Sequence, residues 1–221
     1  MTTPTPATGR LFDALQSTAV REVAALREIY EHPGEHARRK QVDHIHEVAR
    51  GLIGCSSLVF MASAGADGRC DVTPRGGPAG FVSVLDEHTL AIPDATGNKR
   101  LDSLHNIVET GQVGLLFVIP GRDSTLRVNG RACISTDPRL LEQLTAVGKP
   151  PRSAVIVGVE EVYGHCPKAF LRGSAWKPEQ WLAPDAAPSS AEVTLSHLGD
   201  PALTVELIEQ AEREALLYRY E

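Results

Sequence analysis

Gln112-Val113-Gly114-Leu115-Leu116-Phe117-Val118-Ile119, then Pro120-Gly121-Arg122-Asp123, then Ser124-Thr125-Leu126-Arg127-Val128-Asn129-Gly130-Arg131-Ala132-Cys133-Ile134-Ser135, is the stretch that decides how this chain folds. The flanking runs carry the Val, Ile and Phe that strands favour, and the Pro-Gly-containing segment between them has turn composition. A tight turn makes the pair antiparallel. In the second run Thr125, Arg127 and Asn129 alternate with Leu126 and Val128, so one face is polar and the other apolar. That alternation belongs to an antiparallel sheet with one face on a core and the other on solvent or a ligand.

Working outward, Ser57–Ala64 and Cys70–Pro74 are strands around Gly65-Ala66-Asp67-Gly68, which carries an Asp-Gly hairpin signal. Phe81–Leu85 and Thr89–Pro93 pair around Asp86-Glu87-His88, and Ser153–Tyr163 is another strand. About seven strands result, with a helix, Arg100–Thr110, inserted after the fourth. So many short strands predict a barrel: a mainly β fold with peripheral helices.

Helices are expected over Thr18–Tyr30, Glu35–Leu52, Pro138–Val147 and Pro201–Tyr220, with a helical turn near Pro167–Arg172. Residues 1–9 read as disordered, and Ala183–Ser190, rich in Pro, Ala and Ser, as a linker. The expected organisation is a start and N-terminal helix over 1–33, a barrel domain over 34–182, and a linker with a C-terminal helix over 183–221.

The 221 residues are 42% hydrophobic and 23% charged, ordinary for a globular protein. No run approaches the ~18 apolar residues of a membrane span, and the start lacks a signal-peptide pattern, so a cytoplasmic protein is expected. The net charge of −6 gives no global field for nucleic acid, so any phosphate ligand must be held by a local cluster. Cys55, Cys70, Cys133 and Cys166 have no zinc-finger or CxxC spacing and are expected to be reduced, mostly buried thiols. His44 and His46 are expected on different sides of a helix, which does not favour a metal. No dinucleotide fingerprint, phosphate loop or nucleophile elbow is present.

Four segments could carry chemistry, each with an ordinary surface reading beside the functional one. Asp71-Val72-Thr73-Pro74-Arg75-Gly76-Gly77 ends a strand with a hydroxyl, a guanidinium that can fork to a phosphate, and glycines that let a ligand approach the backbone. Gly97-Asn98-Lys99-Arg100-Leu101-Asp102-Ser103 opens a helix. Adjacent cations there oppose the helix dipole, which a bound anion would explain; the plain alternative is a solvated first turn capped by Asn98. Thr125, Arg127 and Asn129 line one strand face. His165-Cys166-Pro167-Lys168, continued by Arg172, Ser174 and Trp176, could close over a planar ring, or be a surface turn with Trp176 packed on the body.

In order and spacing, Thr-Pro-Arg-Gly-Gly, Gly-Asn-Lys-Arg-Leu-Asp-Ser-Leu-His-Asn-Ile, Val-Gly-Leu-Leu-Phe and Leu-Arg-Val-Asn-Gly-Arg-Ala resemble the pyridoxamine 5′-phosphate oxidase-like FMN-binding split-barrel family, and in particular an uncharacterised bacterial branch that shares the Cys-Pro-Lys…Arg…Trp stretch. The resemblance covers about Gln41 to Trp181. It implies a split β-barrel homodimer with FMN at the subunit interface. It further implies that Arg75, Asn98, Lys99, Arg100 and Ser103, beside Gly76, hold the FMN phosphate. Thr73, Thr125, Arg127 and Asn129 would face the ribityl chain or ring, and Lys168, Arg172 and Trp176 would reach in from the second subunit.

The implied function is an FMN-dependent oxidoreductase acting on a small molecule, with the flavin carrying the chemistry and NAD(P)H as the simplest donor. The chain ends Leu216-Leu217-Tyr218-Arg219-Tyr220-Glu221, without the family oxidases' substrate-gripping Arg/His segment, so pyridoxamine-phosphate oxidation itself is not expected. A non-catalytic flavin-binding or sensing protein, and a deazaflavin- or haem-binding relative, stand as alternatives.

Overall fold

The structure is a computed structural model and describes residues 9–95, 97–145, 147 and 149–219. Its frame is set by the hairpin of β5 (Gln112–Val118) and β6 (Thr125–Ser135), paired antiparallel as the alternation requires, with Leu115 opposite Val128 and Phe117 opposite Leu126. β1 (Leu58–Ala64), β2 (Cys70–Gly76), β3 (Ser83–Asp86), β4 (Thr89–Pro93) and β7 (Ala154–His165) complete one sheet. Its order is β2-β1-β5-β6-β7-β4-β3, and every pair is antiparallel. β2 and β3 are the edges, so the sheet is open, as in a split barrel. The fold is mainly β with peripheral helices.

Alternation decides what is inside. Val59 and Met61 of β1, Leu115 and Phe117 of β5, Leu126 and Val128 of β6, and Val157 of β7 are buried in one cluster with Phe81, Leu90 and Ile92. Helix α5 (Asp102–Thr110) covers that face through Ile107 and Leu104. Helix α4 (Glu47–Cys55) adds Ile53. The Asp-Gly turn forms as expected, with Gly68 at φ +81° and a Gly65 N–H to Arg69 C=O bond of 2.9 Å.

The chain divides into two compact units, one through Arg39 and one from Lys40. The first contains helices α1 (Arg10–Leu15), α2 (Val23–Tyr30) and α3 (Glu35–Arg39). The expected helix over Thr18–Tyr30 therefore begins later, behind a 3₁₀ turn over Gln16–Thr18.

The expected helix over Glu35–Leu52 is not one helix. It is broken between α3 and α4 because β7 needs a partner where β4 stops at Gly158. Val42 supplies it, exchanging two backbone hydrogen bonds with Val162 at 3.0 and 2.7 Å. Val42 and Ile45 do pack on the core, but from non-helical chain, Val42 in a bridge and Ile45 past the bend at Asp43 and His44, whereas Val48 stands in solvent. His44 and His46 consequently lie outside any helix, their rings edge-to-face at 4.2 Å.

The helix expected over Pro138–Val147 ends at Leu141 (α6, Pro138–Leu141). Helix α7 is Lys168–Arg172. After the Pro/Ala segment an unexpected helix, α8 (Ser190–Leu198), starts on a capping box: Ser189 Oγ accepts the Glu192 N–H, and Glu192 accepts the Ser189 N–H at 2.7 Å. Its Ser-x-x-Glu signature stands in the sequence. Helix α9 (Val205–Arg219) follows, shorter than expected at its start. All four cysteines are exposed, which corrects the buried-thiol expectation: each sits at a helix end, on an outward strand position or in a turn. Among the described residues no helix is long and apolar enough to cross a membrane. The disorder expected for residues 1–8 and the helix end at Tyr220 fall outside the described residues.

Candidate functional site

β2 carries three polar side chains on one face. Asp71, Thr73 and Arg75 pair in register with Ser63, Met61 and Val59, which places them on the core side of the sheet at its edge. The β4–α5 loop is tied to this face at both ends. Arg75 Nη1 lies 3.2 Å from Asp94 Oδ1, just past β4. Ser103 Oγ, buried in the first turn of α5, donates to Asp71 Oδ2 at 2.5 Å.

Between these ties the loop exposes Asn98, Lys99 and Arg100. Asn98 Oδ1 accepts the Arg100 N–H at 3.0 Å, and Arg100 Nε pairs with Asp102 at 2.8 Å. Lys99 and Leu101 hold left-handed φ angles of 64° and 62°. For non-glycine residues that strain is about 1 kcal/mol or more each, and it concentrates at ligand sites. The helix begins at Asp102, so Lys99 and Arg100 precede it, and Asn98 turns the loop instead of capping it. No side chain caps α5, which leaves its first N–H groups for solvent or an anion. A Cβ at Gly76 would meet Ser57 O at 3.5 Å, an ordinary contact.

Burial pushes the Asp94 carboxyl above its usual range, and the Arg75 guanidinium pulls it back only in part. Ionised Asp94 therefore costs stability, a cost absent at low pH that grows as pH rises through its raised value. Arg75 Nε is buried without a hydrogen-bond partner, and so is Thr125 Oγ1.

Thr125, Arg127 and Asn129 do share one face of β6, but it is the opposite face of the sheet. Arg127 is in register with Leu116 of β5, which pairs with Phe60, which pairs with Pro74. Arg75 and Thr73 lie on the other parity. Arg127 Nη1 donates to Tyr163 Oη at 3.1 Å, and Asn129 Nδ2 to Glu161 at 2.8 Å. Lys168 and Arg172 are exposed on α7. Trp176 stacks on Phe170 at 5.8 Å and donates its indole N–H to Arg122 O at 2.9 Å, on the β5–β6 turn. The sequence candidates thus form two groups on opposite faces, with α7 beside the second strand pair's turn.

A family model described as pyridoxamine 5′-phosphate oxidase matches residues 45–166, more than half of the chain. The chain belongs to the pyridoxamine 5′-phosphate oxidase family. Among solved structures it is similar to HupZ of Group A Streptococcus (21% identity, 55% of this chain and 99% of that one, TM-score 0.44). It is also similar to a putative pyridoxamine 5′-phosphate oxidase of Lactobacillus delbrueckii (24%, 55% and 95%, TM-score 0.44) and to the FAD binding protein of Mycobacterium smegmatis (15%, 56% and 97%, TM-score 0.37). No curated protein matches the sequence.

The family match contains both polar groups but ends before Lys168, Arg172 and Trp176. Sequence reasoning placed Asp71 in the first candidate segment without a role and missed Asp94; the structure makes them partners of Ser103 and Arg75. Asp71 was within reach, because it shares the period-two face of Thr73 and Arg75; Asp94 joins only through the folded loop. Tyr163 was missed, and His165, which opens the fourth candidate segment, was not linked to Thr125, because nothing local joins β7 to β6; the β6–β7 register does.

Proposed function

We propose that this chain is an FMN-dependent oxidoreductase, acting in the cytoplasm on a small molecule other than pyridoxamine phosphate, with a reduced nicotinamide as donor. The observation that carries the reading is the tethered β4–α5 loop. It gathers Arg75, Asn98, Lys99, Arg100 and Ser103 at an uncapped helix start and leaves a buried guanidinium N–H unpartnered. A phosphate dianion satisfies such a donor set, and the orphaned Arg75 Nε awaits an acceptor, so the residues fit a phosphate-bearing flavin. When bound, the flavin supplies the hydride-transfer chemistry. Arg75 and the loop anchor the phosphate, and Thr73, beside Arg75 on β2, positions the adjoining chain.

The two faces support a homodimer. A sheet with its side chains is about 10 Å thick, so one flavin cannot touch Arg75 and Arg127 of the same chain. A second copy packed on the outer face supplies Thr125, Arg127 and Asn129, with Lys168, Arg172 and Trp176 reaching in. Mixing purified protein with FMN should give a yellow complex that reduced nicotinamide bleaches under nitrogen. Protein that takes up no FMN overturns the reading, and flavin that no nicotinamide reduces leaves a binding protein only.

Asp94 competes with the phosphate for Arg75. Asp94→Asn is therefore expected to tighten FMN binding roughly three- to tenfold at neutral pH, about the net worth of an ordinary hydrogen bond. In the native protein the same gain should appear as pH falls and Asp94 takes up its proton, and that part of the pH dependence should vanish in Asp94→Asn. Flavin fluorescence titrations read both.

A further inference from the structure

On the outer face of the sheet Thr125 stands opposite His165 and Arg127 opposite Tyr163. Lys40 joins them from the segment along the free edge of β7, its Nζ donating to Gly164 O at 2.7 Å. Lys40 Nζ lies 5.9 Å and the Arg127 guanidinium 5.6 Å from the centre of the Tyr163 ring. Among the described residues neither cation has a carboxylate within ion-pair distance. Glu161, on the same face, is instead held by the neutral amides of Asn129 and Gln41 at 2.8 and 2.7 Å. Thr125 is 2% exposed and its Oγ1 has no partner. The His165 imidazole is held below its ordinary value by burial first, then by Arg127 and Lys40. Two unneutralised cations sharing one phenol, beside an imidazole and an orphaned buried hydroxyl, repel one another until an anion arrives.

We propose that Lys40, Arg127, Tyr163 and His165, with Thr125, form a subsite for an oxyanion, a carboxylate or phosphate, carried by the substrate. The proposal rests on the flavin reading above and deepens it: the small molecule is an anion. The cradle at Arg75 and α5 lies on the other face and is partly neutralised by Asp71, Asp94 and Asp102, so it does not compete for this role.

The test uses the full chain, with and without FMN, and inorganic phosphate or acetate as probe. The ring protons of His165 are followed by NMR, with His165→Gln identifying the signal. Phosphate should raise the His165 pKa. It should bind at least about tenfold more weakly to Lys40→Met, which removes one charge-assisted contact, and not detectably to Arg127→Met. Arg127→Lys should restore part of the binding, and Lys40→Met, at an exposed position, should melt like the wild type. Phosphate or acetate binding alongside bound FMN supports the assignment. Equal phosphate affinity in wild type and Lys40→Met, or no movement of His165, means solvated cations only and overturns it. Displacement of phosphate by FMN at this site means that the oxyanion is the flavin's own, which also overturns it. Protein that takes no FMN but still binds phosphate here sinks the flavin reading and leaves the anion subsite standing.

Discussion

Replacing Arg75 with alanine is expected to lower FMN affinity about 30- to 150-fold, the 2–3 kcal/mol of a lost charge-assisted contact in a half-buried place. The size follows from position. Arg75 is half-buried on the inner face of β2, its Nε has no partner, and its Nη1 anchors the loop that presents Lys99 and Arg100. Arg100→Ala should cost much less, because its side chain is 74% exposed and already paired with Asp102. Since Arg75→Ala also strands the Asp94 carboxylate, the double variant Arg75→Ala/Asp94→Asn separates lost phosphate contact from loop disorder. If the double variant recovers native affinity, Arg75 serves only to neutralise Asp94. Equilibrium dialysis of FMN against the three variants decides the matter.

Gly130→Ala is expected to be the most damaging small substitution for stability. Gly130 sits at the bulge where the β6–β7 register shifts after Asn129, directly opposite Val159. A Cβ there would fall inside the carbonyl oxygen of Gly158 and lie 3.0 Å from its carbonyl carbon and 3.2 Å from Glu160 N. All three are backbone atoms of the neighbouring strand, so relief requires parting the longest pairing in the sheet. The expected loss is about 3 kcal/mol or more, a melting temperature lower by roughly 6–12 °C. Gly158→Ala is the internal control. Its Cβ would meet only Arg131 O, at 3.8 Å, and should cost under about 1 kcal/mol. Equal melting temperatures for the two variants would refute the close approach at the bulge.

Lys40, Arg127, Tyr163 and His165 show how distance along the chain hides a site. Alternation puts Arg127 on one polar face with Thr125 and Asn129, and the structure keeps them together there; the ligand-facing role comes only from the family resemblance. Its neighbours come from β7 and from a segment read as helix, 36 and 87 residues away in sequence by the numbering. The split of that helix has a tertiary cause, the unpaired edge of β7 beyond Gly158, which no periodicity in Glu35–Leu52 can report. Conversely, the start of α8 is legible in its Ser-x-x-Glu cap, although the Pro and Ala that precede it have linker composition.

By itself the sequence determined the strands, the tight turns between them, the polar and apolar face of each, and the order of motifs that marks the family. These depend on residues two to four apart, where alternation and turn chemistry act. Only the tertiary structure decided which faces coincide. Whether Arg75 and Arg127 share a site depends on the pairing register carried across β1, β5 and β6, and a shift of one residue in any pair reverses the answer. That register places them on opposite sides of one sheet, which turns a single expected pocket into two separate groups within the chain.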